Sequence, residues 1–396
     1  MQETKKTVAV LFGGKSPEHE VSIITGVQVL NNIDKNIYNP VPIYIAKDGR
    51  WYYNESFLKI ETFKDLESLP MTSEEVYLPA NPNNKYLLGT KSNLIGKRLK
   101  IKVDVLFPCF HGGLGENGAF QGLFEIVEKP YVGSEVLGSA LGMDKVICKD
   151  VFKANGIPTA SYIYFYKEAI TNDLEKVVHE LERLFRYPMF VKPAVGGSSV
   201  GITKAKDRDT LIQGLELAAM FDSKVIIEEG IEGAKEINIS VLGNSTEQVI
   251  VSACEEVFHK GDFLNYDDKY KGGDGKSQGM ASTKRQIPAD IGKEALELVQ
   301  VTAKKAFSCL NCFGLIRVDF LVKDNPLEVN IIEVNTIPGS LAFYLWDASQ
   351  IKFPTMLTKL IELAEKRFQE KISKTSTFST NILQDFKAGL KNPKLG

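Results

Sequence analysis

Two closely spaced pairs near the C-terminal end of this chain carry the clearest chemistry. In Gly314-Leu315-Ile316-Arg317-Val318-Asp319-Phe320, Arg317 and Asp319 lie two apart, as do Glu333 and Asn335 in Ile331-Ile332-Glu333-Val334-Asn335. A strand turns alternate side chains to one face, so each pair would project together. A turn centred near Pro326 would set Asp319 opposite Glu333 and Arg317 opposite Asn335. Two carboxylates gathered among apolar neighbours resist ionising together unless a cation intervenes. Oxygen donors of this kind suit Mg²⁺, which takes one or two protein carboxylates and completes its shell with substrate phosphates. The competing reading is a pair of solvated charges on the outer face of a hairpin. Leu315, Ile316, Phe320, Ile331 and Ile332 argue instead for a largely buried sheet.

Phosphate handling needs fixed positive charge and exposed backbone N–H groups. Phe190-Val191-Lys192-Pro193 ends a strand with a lysine, and Ala194-Val195-Gly196-Gly197-Ser198-Ser199-Val200-Gly201 follows. Such a loop can form an anion-binding nest, or it can be plain connection. Lys145 stands at a helix start and is equally open when taken alone. Ile226-Ile227-Glu228-Glu229-Gly230-Ile231 would suit a linker whose backbone meets an adenine edge, with Glu236 as a ribose acceptor. Two familiar nucleotide motifs fail. Gly14-Lys15-Ser16 lacks the earlier glycine of a P-loop, since Ala9 stands there, and Val10-Leu11-Phe12 are strand residues. The dinucleotide pattern G-x-G-x-x-G is absent after Gly13, which removes hydride transfer.

The elements that must position these groups can be read from periodicity. Residues 7–12 are a continuous apolar run ending in Gly13-Gly14, the pattern of a buried parallel strand, and a helix is expected from near Glu18. Further strands at 41–46 and 103–110 and a helix at 120–127 give a doubly wound α/β region over residues 1–138. Residues 139–230 read as a small α+β unit: a helix at 144–154, strands at 160–165, 188–192 and 225–229, and a helix at 174–184. Residues 231–372 hold strands at 236–242 and 248–257, a helix at 289–308 and a hairpin at 314–323 and 328–335. The polar, Gly-rich stretch 259–285 within it reads as a mobile cover, and 373–396 as a peripheral tail.

With 396 residues, 43% of them hydrophobic, the chain is long enough for two or three domains. Forty-eight basic against 50 acidic side chains leave a net charge of −2, which disfavours a nucleic-acid partner. No apolar run approaches the roughly 20 residues of a membrane span, and no signal core opens the chain, so a cytoplasmic protein is expected. Five scattered cysteines imply reduced thiols. Cys309 and Cys312 form one C-x-x-C without a second pair, which reads as buried filler, with a redox or metal role as the competing reading.

Taken in order, these segments resemble the D-alanine–D-alanine ligases of the ATP-grasp superfamily. The matches are Gly13 to Ser22, His111-Gly112 to Gly122, Lys192 to Gly201, Arg317-Val318-Asp319, and Glu333-Val334-Asn335-Thr336-Ile337-Pro338-Gly339. The resemblance implies an ATP-grasp fold behind an N-terminal Rossmann-like domain. It also implies an enzyme that uses ATP and Mg²⁺, with Mn²⁺ as a substitute, to join two D-alanines for peptidoglycan synthesis, and a homodimer. Glu18 would hold the ammonium of the first D-alanine, with Ser198 and Tyr270 completing a link to the cover. Lys145, Lys192 and Lys269 would contact phosphates, Glu228, Glu229, Ile231 and Glu236 the adenosine, and Asp319, Glu333 and Asn335 the metal. Arg317 and the N–H of Gly339 would stabilise an oxyanion, and His111 would lie near the first substrate's carboxylate. Typical members continue for several residues after the Pro-Gly before a Ser-Leu pair that holds the second substrate's carboxylate. Here Ser340-Leu341 follow at once and are given that role, then come Ala342-Phe343-Tyr344-Leu345-Trp346. This departure leaves D-serine open as an alternative acceptor.

Overall fold

The computed structural model describes residues 5–82, 84–92, 96–244, 249–258 and 284–377. The expected cover at 259–285, except its last two residues, lies outside the described residues, and so do Lys269, Tyr270 and the tail beyond residue 377.

Seven strands form the first sheet: β1 (Lys6–Gly13), β2 (Tyr38–Ile45), β3 (Trp51–Tyr53), β4 (Glu74–Tyr77), β5 (Tyr86–Ser92), β6 (Arg98–Lys102) and β7 (Val105–Pro108). Their order is β6-β5-β4-β3-β2-β1-β7, with β1 parallel to both β2 and β7. Sequence reading found the apolar parallel strands and missed the antiparallel β3–β6, which are short and partly polar. The helices beside this sheet are α1 (His19–Asn32), a single turn α2 (Leu69–Thr72) and α3 (Ala119–Ile126). Both faces of β1 are covered: Val8, Val10 and Phe12 join one core, Ala9 and Leu11 the other. Removing the valine, leucine or phenylalanine side chains from water is worth about 1.5–3 kcal/mol each, and the Ala9 methyl less. Helix α1 crosses β1 so closely that a Cβ on Gly26 would lie 2.4 Å from the Phe12 ring.

Two helices, α4 (Val136–Met143) and α5 (Lys145–Ala154), lead into a second sheet. It contains β8 (Tyr162–Tyr166), β9 (Met189–Pro193), β10 (Thr203–Ala205) and β11 (Lys224–Glu229), antiparallel in the order β10-β9-β11-β8. Around it lie α6 (Lys167–Asn172), α7 (Leu174–Leu184) and α8 (Arg208–Phe221). Asp144, Asp173 and Asp207 cap α5, α7 and α8 by accepting hydrogen bonds from first-turn N–H groups.

The third sheet holds β12 (Lys235–Gly243), β13 (Ile250–Val251), β14 (Glu255–Phe258), β15 (Lys284–Gln286), β16 (Gly314–Asp324) and β17 (Leu327–Asn335). Its order is β15-β14-β12-β16-β17, and β13 also pairs with β12. The single strand expected at 248–257 is thus two. Val241 pairs with Val251 but Asn238 with Glu255, one residue out of step. The break is fixed by side chains, because the Ser240 N–H donates to Ser252 Oγ and the Ala253 N–H to Ser349 Oγ. Helices α5 and α9 (Lys293–Cys309) bury one face of this sheet. Two last helices, α10 (Phe343–Ala348) and α11 (Phe353–Ile372), return to the first sheet, where α11 joins the core of β1.

Among the described residues no helix is long and apolar enough to cross a membrane. All five cysteines are free thiols, four buried and Cys309 half-buried, and no described group of three His, Cys, Asp or Glu side chains could hold a metal.

Candidate active site

The site begins with the hairpin β16–β17. Asp319 lies opposite Glu333 and Arg317 opposite Asn335, the pairing expected from the sequence. The route to it differs from the expectation. The turn pairs Asp324 with Leu327, so it is centred just before Pro326, and the register then shifts between Asp319 and Phe320, whose partners are Glu333 and Ile331. Ile332 is the extra residue of a β-bulge. Up to the bulge Val329 and Ile331 point into the core, and after it Val334 does. The spare residue reverses the phase, which turns Glu333 to the same side as Asp319.

On that side the third sheet faces the second across a cavity of about 600 Å³. Lys192 and Glu228 enter from the second sheet, Asp319 and Glu333 from the third, and Glu229, Ile231 and Glu236 line the cavity between them. Glu228 is buried between two lysines, with Lys192 Nζ at 2.6 Å and Lys149 Nζ at 3.0 Å. Burial alone would raise its pKa, but the two ammonium groups outweigh it and hold the carboxyl down at about 2. Lys149 was not found from the sequence. It sits one helical turn after Lys145, so its spacing was the available signal, but a lysine on an amphipathic helix usually reads as solvated.

Arg317 donates from Nε and Nη2 to the two oxygens of Asp319, each at 2.6 Å, and Asn335 Nδ2 donates to Asp319 at 3.0 Å. Desolvation raises the Asp319 pKa to about 6 against the lowering effect of Arg317, and Glu333 and Glu236 push it up further. Sequence reading gave Arg317 to an oxyanion and Asp319 to a metal, and the structure joins the two directly. The donor set fits a hard divalent cation: two carboxylates and an amide oxygen on adjacent strands, with an acid that resists ionising beside its neighbour.

A second cavity, of about 80 Å³, adjoins the first, and Arg317 and Glu333 line both. Glu18, His111, Lys145, Ser198 and Gly339 line the smaller one. Glu18 stands at the start of α1 but does not cap it; its carboxylate accepts a hydrogen bond from the Ser198 hydroxyl. The glycine-rich loop comes so near that a Cβ on Gly197 would lie 2.3 Å from Glu18 Oε2. Ser198 and Ser199 both have positive φ, and Ser198 lines the small cavity where Ser199 lines the large one. Lys145 Nζ donates to the Gly196 carbonyl at 2.7 Å and lies 3.9 Å from Glu333.

Behind this cavity the protein uses neutral groups. His111 Nδ1 donates to the Ile337 carbonyl and its Nε2 accepts from the Thr25 hydroxyl, both at 2.8 Å. Thr25 Oγ1 in turn accepts from the Ser340 N–H at 3.0 Å. Burial lowers the His111 pKa to about 4. Glu116, also missed from the sequence, accepts from the N–H groups of Gly112 and Ile337 at 2.9 and 3.0 Å. Burial raises its pKa to about 7, opposed by those hydrogen bonds and assisted by Glu18. His19 bonds the Gly14 carbonyl and Tyr44, so it holds the first loop.

Ser340 and Leu341 line neither cavity, and Leu341 is buried in the core of α1 and α11. Ser340, Leu341 and Ala342 have φ of 50°, 53° and 47°. Three successive left-handed residues without glycine cost about 1–2 kcal/mol each, and no residue type announces them. Their effect is to bring Tyr344, rather than the Ser-Leu pair, to the wall of the large cavity.

Two sheets closing on a nucleotide-sized cavity, with lysines on one and a carboxylate pair on the other, are the architecture of the ATP-grasp ligases. Comparison with known proteins narrows the class. The family models for the D-ala D-ala ligase N-terminus and C-terminus match residues 7–134 and 151–362, and the chain belongs to the D-alanine–D-alanine ligase family. It is 39% identical over 381 residues to a D-alanine–D-alanine ligase of Ruminiclostridium cellulolyticum, covering 93% of this chain and 97% of that protein. A ligase of the same name from Acetivibrio thermocellus is 40% identical, covering 93% and 98%. Among solved structures, the D-alanine-D-alanine ligase of Coxiella burnetii superposes with TM-score 0.77 at 28% identity, covering 93% and 96% of the two chains. A D-Ala:D-Ser ligase of Enterococcus faecalis gives TM-score 0.75 at 33% identity, covering 91% and 100%.

Proposed function

We propose that this chain joins two D-alanines into D-alanyl-D-alanine at the expense of ATP, as a cytoplasmic homodimer supplying peptidoglycan precursors. The observation that carries this reading is the pair of cavities with a common wall. The large one suits a nucleotide and the small one a single amino acid, and Arg317 and Glu333 stand where they meet. That is the place where a carboxylate can reach a γ-phosphate.

The first difficulty is charge, since a carboxylate approaching a triphosphate is repelled. Lys145 and Lys192, with Lys269 of the cover, offset that repulsion, while Glu228, Glu229, Ile231 and Glu236 hold the adenosine. Asp319, Glu333 and Asn335 would hold Mg²⁺, or Mn²⁺ in its place, which would supply positive charge against the repulsion between phosphate and carboxylate. Glu18 and Ser198 fix the ammonium of the first D-alanine so that its carboxylate faces the shared wall, with His111 beside it, and Tyr270 of the expected cover would complete the link. Attack on the γ-phosphorus forms the acyl phosphate and releases ADP. The deprotonated amine of the second D-alanine then attacks the acyl carbon; the C–N bond forms first, and the C–O bond to phosphate breaks afterwards, the proton shed by the nitrogen leaving with the phosphate. Arg317 and the Gly339 N–H stabilise the tetrahedral oxyanion between these events.

Phosphate release by the purified protein, supplied with ATP, Mg²⁺ and D-alanine, tests the reading, with the dipeptide identified by mass. Release should require D-alanine and stop when the divalent ion is chelated. ATP consumption that no D-amino acid stimulates would sink it.

A further inference from the structure

A row of polar side chains crosses four strands on the cavity face. Glu333 pairs with Asp319, Asp319 with Asn238, and Asn238 with Glu255, and cross-strand partners share a face. The reading above uses only the first two. The other two are as buried as the groups assigned to the nucleotide: Glu255 is 2% and Asn238 4% exposed, against 4% for Glu228. Glu255 Oε1 accepts from the Tyr344 hydroxyl at 2.7 Å and from Asn238 Nδ2 at 3.2 Å. Its second oxygen has no hydrogen-bond donor, and neither has Asn238 Oδ1. Arg285 lies 3.5 Å from Glu255 Oε2 and stacks 4.5 Å above the Tyr344 ring. All four line the large cavity together with Arg317.

Two buried oxygens without a hydrogen bond, one of them with the Arg285 guanidinium 3.5 Å away, are costly unless something supplies N–H groups to them. A guanidinium beside them offers the opposite pole. The complementary ligand is a small zwitterion, its ammonium on Glu255 Oε2 and Asn238 Oδ1 and its carboxylate on Arg285. We propose that Tyr344, Glu255, Asn238 and Arg285 form the subsite that binds the incoming amino acid, the role for which Ser340 and Leu341 are turned the wrong way. This rests on the ligase reading given above. The left-handed turn at 340–342 is then the device that delivers Tyr344 to the subsite, and the Tyr344 ring limits the side chain the acceptor can carry.

Hydroxylamine separates the subsite from the rest of the reaction, because it traps the acyl phosphate without needing a carboxylate or ammonium pocket. The wild-type enzyme and the Arg285→Gln and Tyr344→Phe variants are supplied with ATP, Mg²⁺ and D-alanine, with and without hydroxylamine, and dipeptide and D-alanyl hydroxamate are measured. Arg285 is partly exposed at its side chain and Tyr344→Phe keeps the ring, so both variants retain the packing of the sheet. The lost charge-assisted contact should raise the KM of the second D-alanine and the hydroxamate-to-dipeptide ratio on the order of tenfold or more in Arg285→Gln. Tyr344→Phe should change the ratio in the same direction and widen the choice of acceptor. Hydroxamate and dipeptide falling in equal proportion, or an unmoved KM for the second D-alanine, would overturn the subsite. A wild-type enzyme that makes neither product overturns the ligase reading itself, and this one with it.

Discussion

The two adjoining cavities solve opposite electrostatic problems. Around the large one, full charges are buried and matched in advance, Glu228 with Lys149 and Lys192, Asp319 with Arg317. Around the small one, the buried acid and the buried imidazole are both driven toward their neutral forms, and they hold backbone groups instead. A triphosphate brings several negative charges, and paired lysines can exchange one partner for another as it enters. A zwitterionic amino acid brings one charge of each sign, and the neutral groups behind the cavity leave its orientation to Glu18 and to Arg317 of the shared wall. Buried pairs are expensive to break and neutral networks less so, so the two regions should respond differently to the same kind of substitution.

The largest effect should come from Glu228→Gln. It leaves Lys149 and Lys192 facing each other without a counter-ion, at a cost of about 3–5 kcal/mol. A lowered thermal midpoint and weakened nucleotide binding would show it, and an unshifted midpoint would break the contrast drawn above. Next is Arg317→Ala, which removes a preorganised donor worth about 3–4 kcal/mol of barrier. Turnover should fall by about two orders of magnitude or more with modest change in ATP affinity, measured by steady-state ADP release and nucleotide titration. Retained turnover would refute the oxyanion role.

Smaller still, and of two signs, are the pH effects of the neutral network. The folded pKa of Glu116, about 7, lies above its ordinary 4.5. Its contribution to stability is therefore present below pH 4.5 and lost as pH rises through 7. His111 is the reverse: its folded value near 4 lies below 6.5, so its contribution is present above pH 6.5 and lost as pH falls through 4. Thermal midpoints across this window should show wild type losing ground to Glu116→Gln as pH rises and gaining on His111→Gln. Slopes of the same sign for the two variants would sink the assignment of neutral walls.

Legibility followed the strength of the local signal. The apolar runs of β1, β7, β9 and β16 and the capped helices α5 and α7 were readable because burial on both faces, or a period of 3.6 with an aspartate in front, leaves few alternatives. The strands β3–β6 were not, being short and only partly apolar. The partners of Asp319 were readable because alternation fixes a face, although the inferred turn was displaced and the bulge at Ile332 made up the difference. Lys149 and Glu116 escaped because charged residues read as surface until a buried partner from another segment is known, and Glu228 and Ile337 are far along the chain. The left-handed run at 340–342 carries no glycine or asparagine to mark it, so the place of Ser340 and Leu341 away from the two cavity walls was not legible.

The surplus residue at Ile332 makes this hairpin a counted object. Deleting Ile332 would close the bulge and leave Glu333 directly after Ile331, so ordinary alternation would still set the acid opposite Asp319 on the cavity side. Losing a second residue from the same stretch would rotate the acid onto the hydrophobic side of the sheet and part the two carboxylates, so the spare residue is the slack this hairpin can give up.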